Sequence, residues 1–385
     1  MRVKEILHQF QEIASNPAKQ KENYLKAGKK VVLTAPVYTP EELIHSMGMV
    51  PMGVWGADTE INRAKKYFPA FICSIMQSIV EMGMSGAYEG ASAIVIPSLC
   101  DSLKVLGENW KYAVPSIPFI PMTYPQNRKK DFGIAFTKAG YERVIADLES
   151  VSGEKFTDKK LADSIRVYNA HNAVMREDAR IMAEHPELPA VWRSAVFKSA
   201  FFMLKEDHTA LVQELLEAWK QEETEQGAAK EAVKSEKIKI LTTGILTDST
   251  NLLEIIDEYG LQIAADDVAA ESRQYRTDTA LDTGKTNTAL DALAEKFARM
   301  DNCSLLYDVE KKRVGMIVEQ AKQVGAKGIL VILTKFCDPE EFDYPLIKKA
   351  GEAAGLPVIL IEVDRQMVNY EQARTILETF RDMMV

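Results

Sequence analysis

One ordered series of short apolar runs and helical stretches occurs twice in this chain. In the first half the apolar runs are KVVLTA at Lys30–Ala35, Val50–Val54, Ala93–Pro97 and Ile117–Met122. In the second half they are Lys237–Thr242, Leu261–Asp266, Gly328–Leu333 and Val358–Glu362. Runs of this length separated by helical patterns read as parallel strands buried on both faces by crossover helices. Pro118 and Pro121 make the fourth run the weakest of these strand signals. Helices are expected from Thr39-Pro40-Glu41-Glu42, where Thr39 caps and Pro40 opens the first turn, and over Cys73–Met84 and Asp101–Tyr112. In the second half they are expected near Asn251–Tyr259, Ala289–Met300, Lys312–Val324, Tyr344–Ala354 and Gln372–Met383. Right-handed crossovers bring the loops after all strands of a sheet to one edge. The two halves therefore predict two related four-stranded α/β domains whose strand-end loops can face one another.

Between them the pattern changes. From about 130 to 235 the periodicity is helical with few strand signals, closing in the charged stretch EAWKQEETEQGAAKEAVKSEK. The domain limits expected are 1–130 for an N-terminal helix plus the first α/β domain, 131–236 for a helical middle segment, and 237–385 for the second α/β domain.

A net charge of −9 argues against general nucleic-acid binding, which needs a basic surface to displace counterions. The opening MRVKEILHQFQEIA is amphipathic and lacks the apolar core of a signal peptide, and no apolar run approaches the ~20 residues of a membrane span. A cytoplasmic location is expected. Four cysteines without a secretion signal do not make a disulfide framework, and none has zinc-finger spacing. There is no GxxxxGK[ST] loop, since GKTNT at Gly284 lacks the preceding glycine-rich turn, and no GxGxxG follows a strand. His45 falls inside an expected helix with no serine nucleophile on a tight turn beside it, so triad hydrolysis is not indicated.

The cysteines carry the chemical signal. Cys100-Asp101 follows the third run of the first half, and Cys337-Asp338 follows the third run of the second. Cys73 opens a helix in FPAFICSIMQ. A single free cysteine is most often a small buried apolar residue. A Cys-Asp pair repeated after equivalent strands is different, because strand-end loops are where α/β folds place ligands. Helix N-termini also lower thiol pKa values, and such thiolates suit iron-sulfur clusters. Cys303 lacks this context and reads as packing. Asp101 and Asp338 read as helix caps, with orientation of the cluster loops as the other option. Trp55 and the segment carrying Glu271, Arg273, Gln274 and Arg276 follow second strands and are candidates to line the same cleft.

At these residues the chain resembles the 2-hydroxyacyl-CoA dehydratase family, which includes benzoyl-CoA reductase subunits. The matching pieces are APVYTPEELIHSMGMVPMGVWG, YFPAFICSIMQS, IPSLCDSLKVLGENWK, PQNRK, ADDVAAESRQYRTD and KFCDPEEFDYPLIKK, spread from about residue 30 to the C-terminus. Length and the ADDVAAESRQYRTD wording resemble the beta-type subunit. The resemblance implies two Rossmann-like domains with a [4Fe-4S] cluster between them, held by Cys73, Cys100 and Cys337, the fourth iron taking a non-cysteine ligand. It implies an oxygen-sensitive heterodimer with an alpha-type subunit, which carries the substrate-ligating cluster. The reaction implied removes water from an (R)-2-hydroxyacyl-CoA to give an enoyl-CoA. An ATP-dependent iron-sulfur activator supplies one electron, the thioester becomes a ketyl radical, hydroxide leaves, and the electron returns. The alternatives are a benzoyl-CoA-type reductase subunit or a non-catalytic iron-sulfur or zinc protein. No general base is legible.

Overall fold

The computed structural model describes residues 2–226, 237–281, 284 and 287–385. Residues 227–236 of the charged stretch expected to close the middle segment, and part of the stretch at Gly284, lie outside the described residues.

The first sheet is built from Val31–Thr34 (β1), Val50–Gly53 (β2), Ala93–Pro97 (β3) and Phe119–Met122 (β4). Its order is β2-β1-β3-β4 and every pairing is parallel. Every residue of β1 and β3 is buried, as a strand covered on both faces requires. β4 is an edge strand, which explains how it carries Pro121: an edge position has no ladder partner to lose on its outer side. The second sheet comprises Ile238–Gly244 (β5), Leu261–Val268 (β6), Gly328–Thr334 (β7) and Val358–Val363 (β8), in the order β6-β5-β7-β8, again all parallel. The two sheets share one topology. In each, the chain switches direction across the sheet between its first and third strands, and the crevice beyond the strand ends at that switch is the ligand position of such folds. The α/β expectation of two Rossmann-like, four-stranded parallel sheets therefore holds.

The helices are Arg2–Ser15 (α1), Pro17–Lys26 (α2), Glu41–Ser46 (α3), Ser74–Met84 (α4), Asp101–Ala113 (α5), Asp131–Ser152 (α6), Asp158–Met182 (α7), Ala190–Ser199 (α8), Lys205–Gln226 (α9), Thr250–Glu258 (α10), Ala289–Arg299 (α11), Lys312–Gln323 (α12), Asp338–Ala353 (α13) and Glu371–Asp382 (α14). Among the described residues no helix is long and apolar enough to cross a membrane.

Three expectations change. Thr39 does not cap α3; Pro40 holds the cap position, and the Thr39 hydroxyl donates to Ala35 O instead. The helix expected from Tyr344 starts six residues earlier, at Asp338, because Pro339 fits the first turn and Pro345 is accommodated inside. The N-terminal helix meets the first-sheet core only near its C-terminal end, through Ile13, and buries most of its apolar face elsewhere. Val3, Ile6, Leu7 and Phe10 share a core with Met175, Val196, Phe197 and Leu215 of the middle helices. Burial of that apolar face, not chain order, decides where α1 sits. The halves also interlock: Leu290, Leu293 and Phe297 of α11 pack with Val32, Val95 and Ile120 of the first sheet.

Candidate cofactor site between the strand ends

The three cysteines are placed by the same local device. Cys73, Cys100 and Cys337 are the cap residues of α4, α5 and α13. Cys100 lies just beyond β3 and Cys337 just beyond β7, so both sheets deliver a thiol at the topological switch. All three line one cavity, with Val37, Met76, Leu305 and Phe336 among its apolar walls. The void they share is about 40 Å³. Cys73 and Cys337 are buried and Cys100 is half-buried. The loops forming the walls hold two non-glycine residues in the left-handed region, Tyr38 and Phe336, each at φ 63°. Such residues persist only where surrounding structure fixes them, and they cluster at functional sites.

The electrostatics define what this site can hold. Burial pushes the Cys100 thiol up to about 12. Burial also raises Cys73, and raises Cys337 well above the ordinary thiol value. The sulfurs act on one another: Cys73 raises Cys100, and both raise Cys337. First-turn amides oppose this. Those of Ile75 and Met76 lower Cys73, those of Ser102 and Leu103 lower Cys100, and that of Glu340 lowers Cys337. Three helix N-termini, each worth roughly half a positive charge, and the Arg365 guanidinium acting on Cys73 thus leave the thiols above their ordinary value unless further positive charge is added. A cationic metal centre would supply that charge and take the thiolates in exchange for protons. The donor set is three thiols in an apolar pocket, the ligand chemistry of iron-sulfur groups. Among the described residues, no three His, Cys, Asp or Glu side chains are grouped to hold a single metal ion. A multi-iron group distributes its thiolates over separate irons.

Asp101 and Asp338 are the first helical residues, not the caps. The cap position belongs to cysteine in both helices. Asp101 points to solvent and pairs with Lys104 at 2.9 Å. Trp55 and Glu271 line a different, larger cavity of about 240 Å³ with Phe197, Phe201 and Phe202. Glu271 pairs there with Arg193 and bonds the Thr247 hydroxyl. Gln274 lines a third cavity, which shares Pro36 and Val37 with the cysteine cavity. Arg273, expected on the cleft wall, lies instead in the interior, 3% exposed. It reaches Asp267 at 3.1 Å, Glu340 at 2.9 Å and the Cys303 sulfur at 3.5 Å. Arg276 joins it, pairing with Asp267 at 2.6 Å. Cys303 is buried among Phe297, Leu293 and Leu306.

Two supports were not visible in the motifs. Arg365, after β8, donates from its guanidinium to Asp248, Asp58 and Trp55 O, while its amide donates to Ser74 Oγ at 3.2 Å. It ties the Cys73 helix to the second half. Behind Cys337, Arg313 pairs with Asp267 and Glu340 at 2.7 Å each and with Asp343 at 2.8 Å. A signal was available for this second network: Asp266-Asp267 stands inside a strand buried at every position, and buried carboxylates demand buried cations.

Residues 36–384 match the family model of the 2-hydroxyglutaryl-CoA dehydratase D-component. The chain is 45% identical to the (R)-phenyllactyl-CoA dehydratase beta subunit of Clostridium sporogenes, over 98% of both chains. It is 41% identical to the lactoyl-CoA dehydratase subunit beta of Anaerotignum propionicum, over 100% of both. It is 36% identical to the (R)-2-hydroxyglutaryl-CoA dehydratase subunit beta of Acidaminococcus fermentans, over 100% of both.

Proposed function

The chain belongs to the 2-hydroxyglutaryl-CoA dehydratase D-component family, and from that membership we propose that it is the beta subunit of a cytoplasmic, oxygen-sensitive (R)-2-hydroxyacyl-CoA dehydratase. The enzyme is a hydro-lyase that works with an alpha-type partner. The observation that carries this reading is the end-to-end match to three dehydratase beta subunits, whose named substrates differ only in the acyl group. The substrate is therefore assigned at the level of class, a 2-hydroxyacyl thioester of coenzyme A.

Cys73, Cys100 and Cys337 would hold a [4Fe-4S] cluster in this reading. When bound, such a group supplies storage and relay of one electron. This chain's own residues do the rest. The apolar walls around Val37, Met76 and Leu305 keep water from the sulfurs. The first-turn amides of α4, α5 and α13 stabilise the thiolate form. Arg365 and the Arg273–Arg313 network fix the loops on which Cys73 and Cys337 sit. An ATP-dependent iron-sulfur activator would provide the starting electron. One-electron reduction of the thioester lets the hydroxyl leave as hydroxide, loss of the β-proton completes the molecule of water, and the electron is then recovered.

That recovery separates the reading from its rival, a benzoyl-CoA-type reductase. The chain, its alpha-type partner and an activator should be given limiting reductant and an (R)-2-hydroxyacyl-CoA under argon. The dehydratase reading expects many enoyl-CoA molecules per electron added. Product that stops in proportion to the electrons supplied would instead assign a reductase.

A further inference from the structure

The cavity lined by Trp55 and Glu271 plays no part in the proposed reaction. It lies between the α1–α2 turn, the end of β2 and helix α8, and measures about 240 Å³. A cavity of about 150 Å³ already takes benzene. The walls are largely apolar and aromatic, with Trp55, Phe197, Phe201 and Phe202 among them. The exposed residues Ser15 and Ala18 also line it, so it opens to solvent beside the α1–α2 turn.

One charge in this lining stands apart. Glu271 is matched by Arg193, and Lys198 and Asp248 match each other at 2.9 Å. Lys21 is 8% exposed and makes no ion pair among the described residues. Its Nζ donates to Ala87 O at 2.8 Å and Glu89 O at 2.7 Å. An ammonium has three N–H donors, so one is left over. Ala87 lines the cavity as well, which puts the charged end of Lys21 at the cavity wall. Lys205, comparably buried, shows the usual arrangement: it pairs with Glu41 at 3.3 Å. Buried charges are normally paired. Glu22 and Glu89 favour the charged lysine without touching it, but burial outweighs them and lowers its pKa. An anion bound beside the ammonium would relieve that cost.

We propose that this cavity binds a small organic acid with an aryl or branched-alkyl body, its carboxylate on the spare Lys21 N–H and its body among Trp55, Phe197, Phe201 and Phe202. A coenzyme A thioester has no carboxylate at its acyl carbon, so the ligand is a free acid and not the substrate of the proposed reaction. The cavity shares no lining residue with the cysteine cavity, and the inference does not depend on the cluster assignment.

The test is isothermal titration calorimetry of the anaerobically purified full-length chain with three probes. They are trans-cinnamate (a phenyl ring on a three-carbon acid), trans-cinnamamide (the same body without the charge) and acetate (the charge without the body). Cinnamate should bind about tenfold tighter than the amide, as one charge-assisted hydrogen bond gives, and acetate should give no measurable heat. Lys21→Met should erase the advantage of the acid over the amide. Ala18→Trp, at the mouth, should abolish binding of both. Lys26→Met removes an exposed lysine of the same helix that pairs with Glu22, and should leave cinnamate binding unchanged. Equal binding of acid and amide to the wild-type chain overturns the inference, as does no binding of either. Cinnamate binding that survives both Lys21→Met and Ala18→Trp lies elsewhere and also overturns it. If Lys21→Met does not fold, the acid–amide comparison together with Ala18→Trp decides. A chain that holds no iron yet binds cinnamate in this way contradicts the cluster assignment and leaves this site standing.

Discussion

Replacing Cys337 by alanine is expected to remove iron and dehydratase activity together, each by more than about 100-fold, since losing a ligand should cost more than losing the group that orients it. Cys100→Ala should do the same. The reason is geometric: each thiol caps a different helix, and no other cysteine among the described residues reaches the cavity they line. Cys303→Ala is the matched control. Cys303 is equally buried, but it packs beside Phe297 and Leu306 and contacts Arg273. Its loss should cost about 1 kcal/mol of stability and leave iron content and turnover near wild type. Iron and activity measured side by side in the three variants check this. Full iron in Cys100→Ala or Cys337→Ala would remove that residue from the ligand set.

The second large effect concerns stability. Arg313→Met should destabilise the folded chain by about 3–5 kcal/mol, the usual result of stripping one partner from a buried ion network. Arg313 is 2% exposed, and it satisfies Asp267, Glu340 and Asp343 at once. Lys311→Met removes a cation from the same Asp343, but that lysine side chain is 44% exposed. It should cost less than about 1 kcal/mol, as exposed pairs do. Urea titrations of both variants measure the difference, and equal losses would contradict the account. The network also fixes a pH dependence. Burial pushes Asp267 up, but Arg273, Arg313 and Arg276 overcome it and hold the carboxyl well below its usual range. A carboxyl with a depressed folded value adds stability above its unfolded pKa of about 3.9 and loses it as pH falls further. Stability should therefore hold near neutrality and drop steeply below about pH 4.

The fold was legible because strand and helix periods differ and the same series occurs twice. Ala93–Pro97 came out with the limits read from the sequence, whereas the spatial order of the strands was not read from it, since crossover handedness leaves that order open. The placement of α1 was not legible: an amphipathic helix declares that it has an apolar face, not which neighbour covers it. The reach of α11 across to the first sheet was hidden for the same reason. Within the site, the cysteines were legible because cysteine at a strand end followed by a helix is a local pattern. The caps were misjudged because aspartate is the commoner cap, whereas here the thiol itself occupies that position and Asp101 and Asp338 begin the helix. Arg313, Glu340 and Arg365 are ordinary charged residues in their own segments. They become two separate networks, one around Arg365 and one around Arg313 and Glu340, only once distant chain regions meet, and the Asp266-Asp267 pair marks the need for the second without naming its cations.

The most direct measurement is the iron and acid-labile sulfide content of the anaerobically purified chain, read together with its visible spectrum. The account predicts about four irons and four sulfides per chain, as one cysteine-held cubane requires, with a broad brown absorbance that bleaches in air. Absence of iron and sulfide after strictly anaerobic handling would contradict it and return Cys73, Cys100 and Cys337 to packing or to another metal.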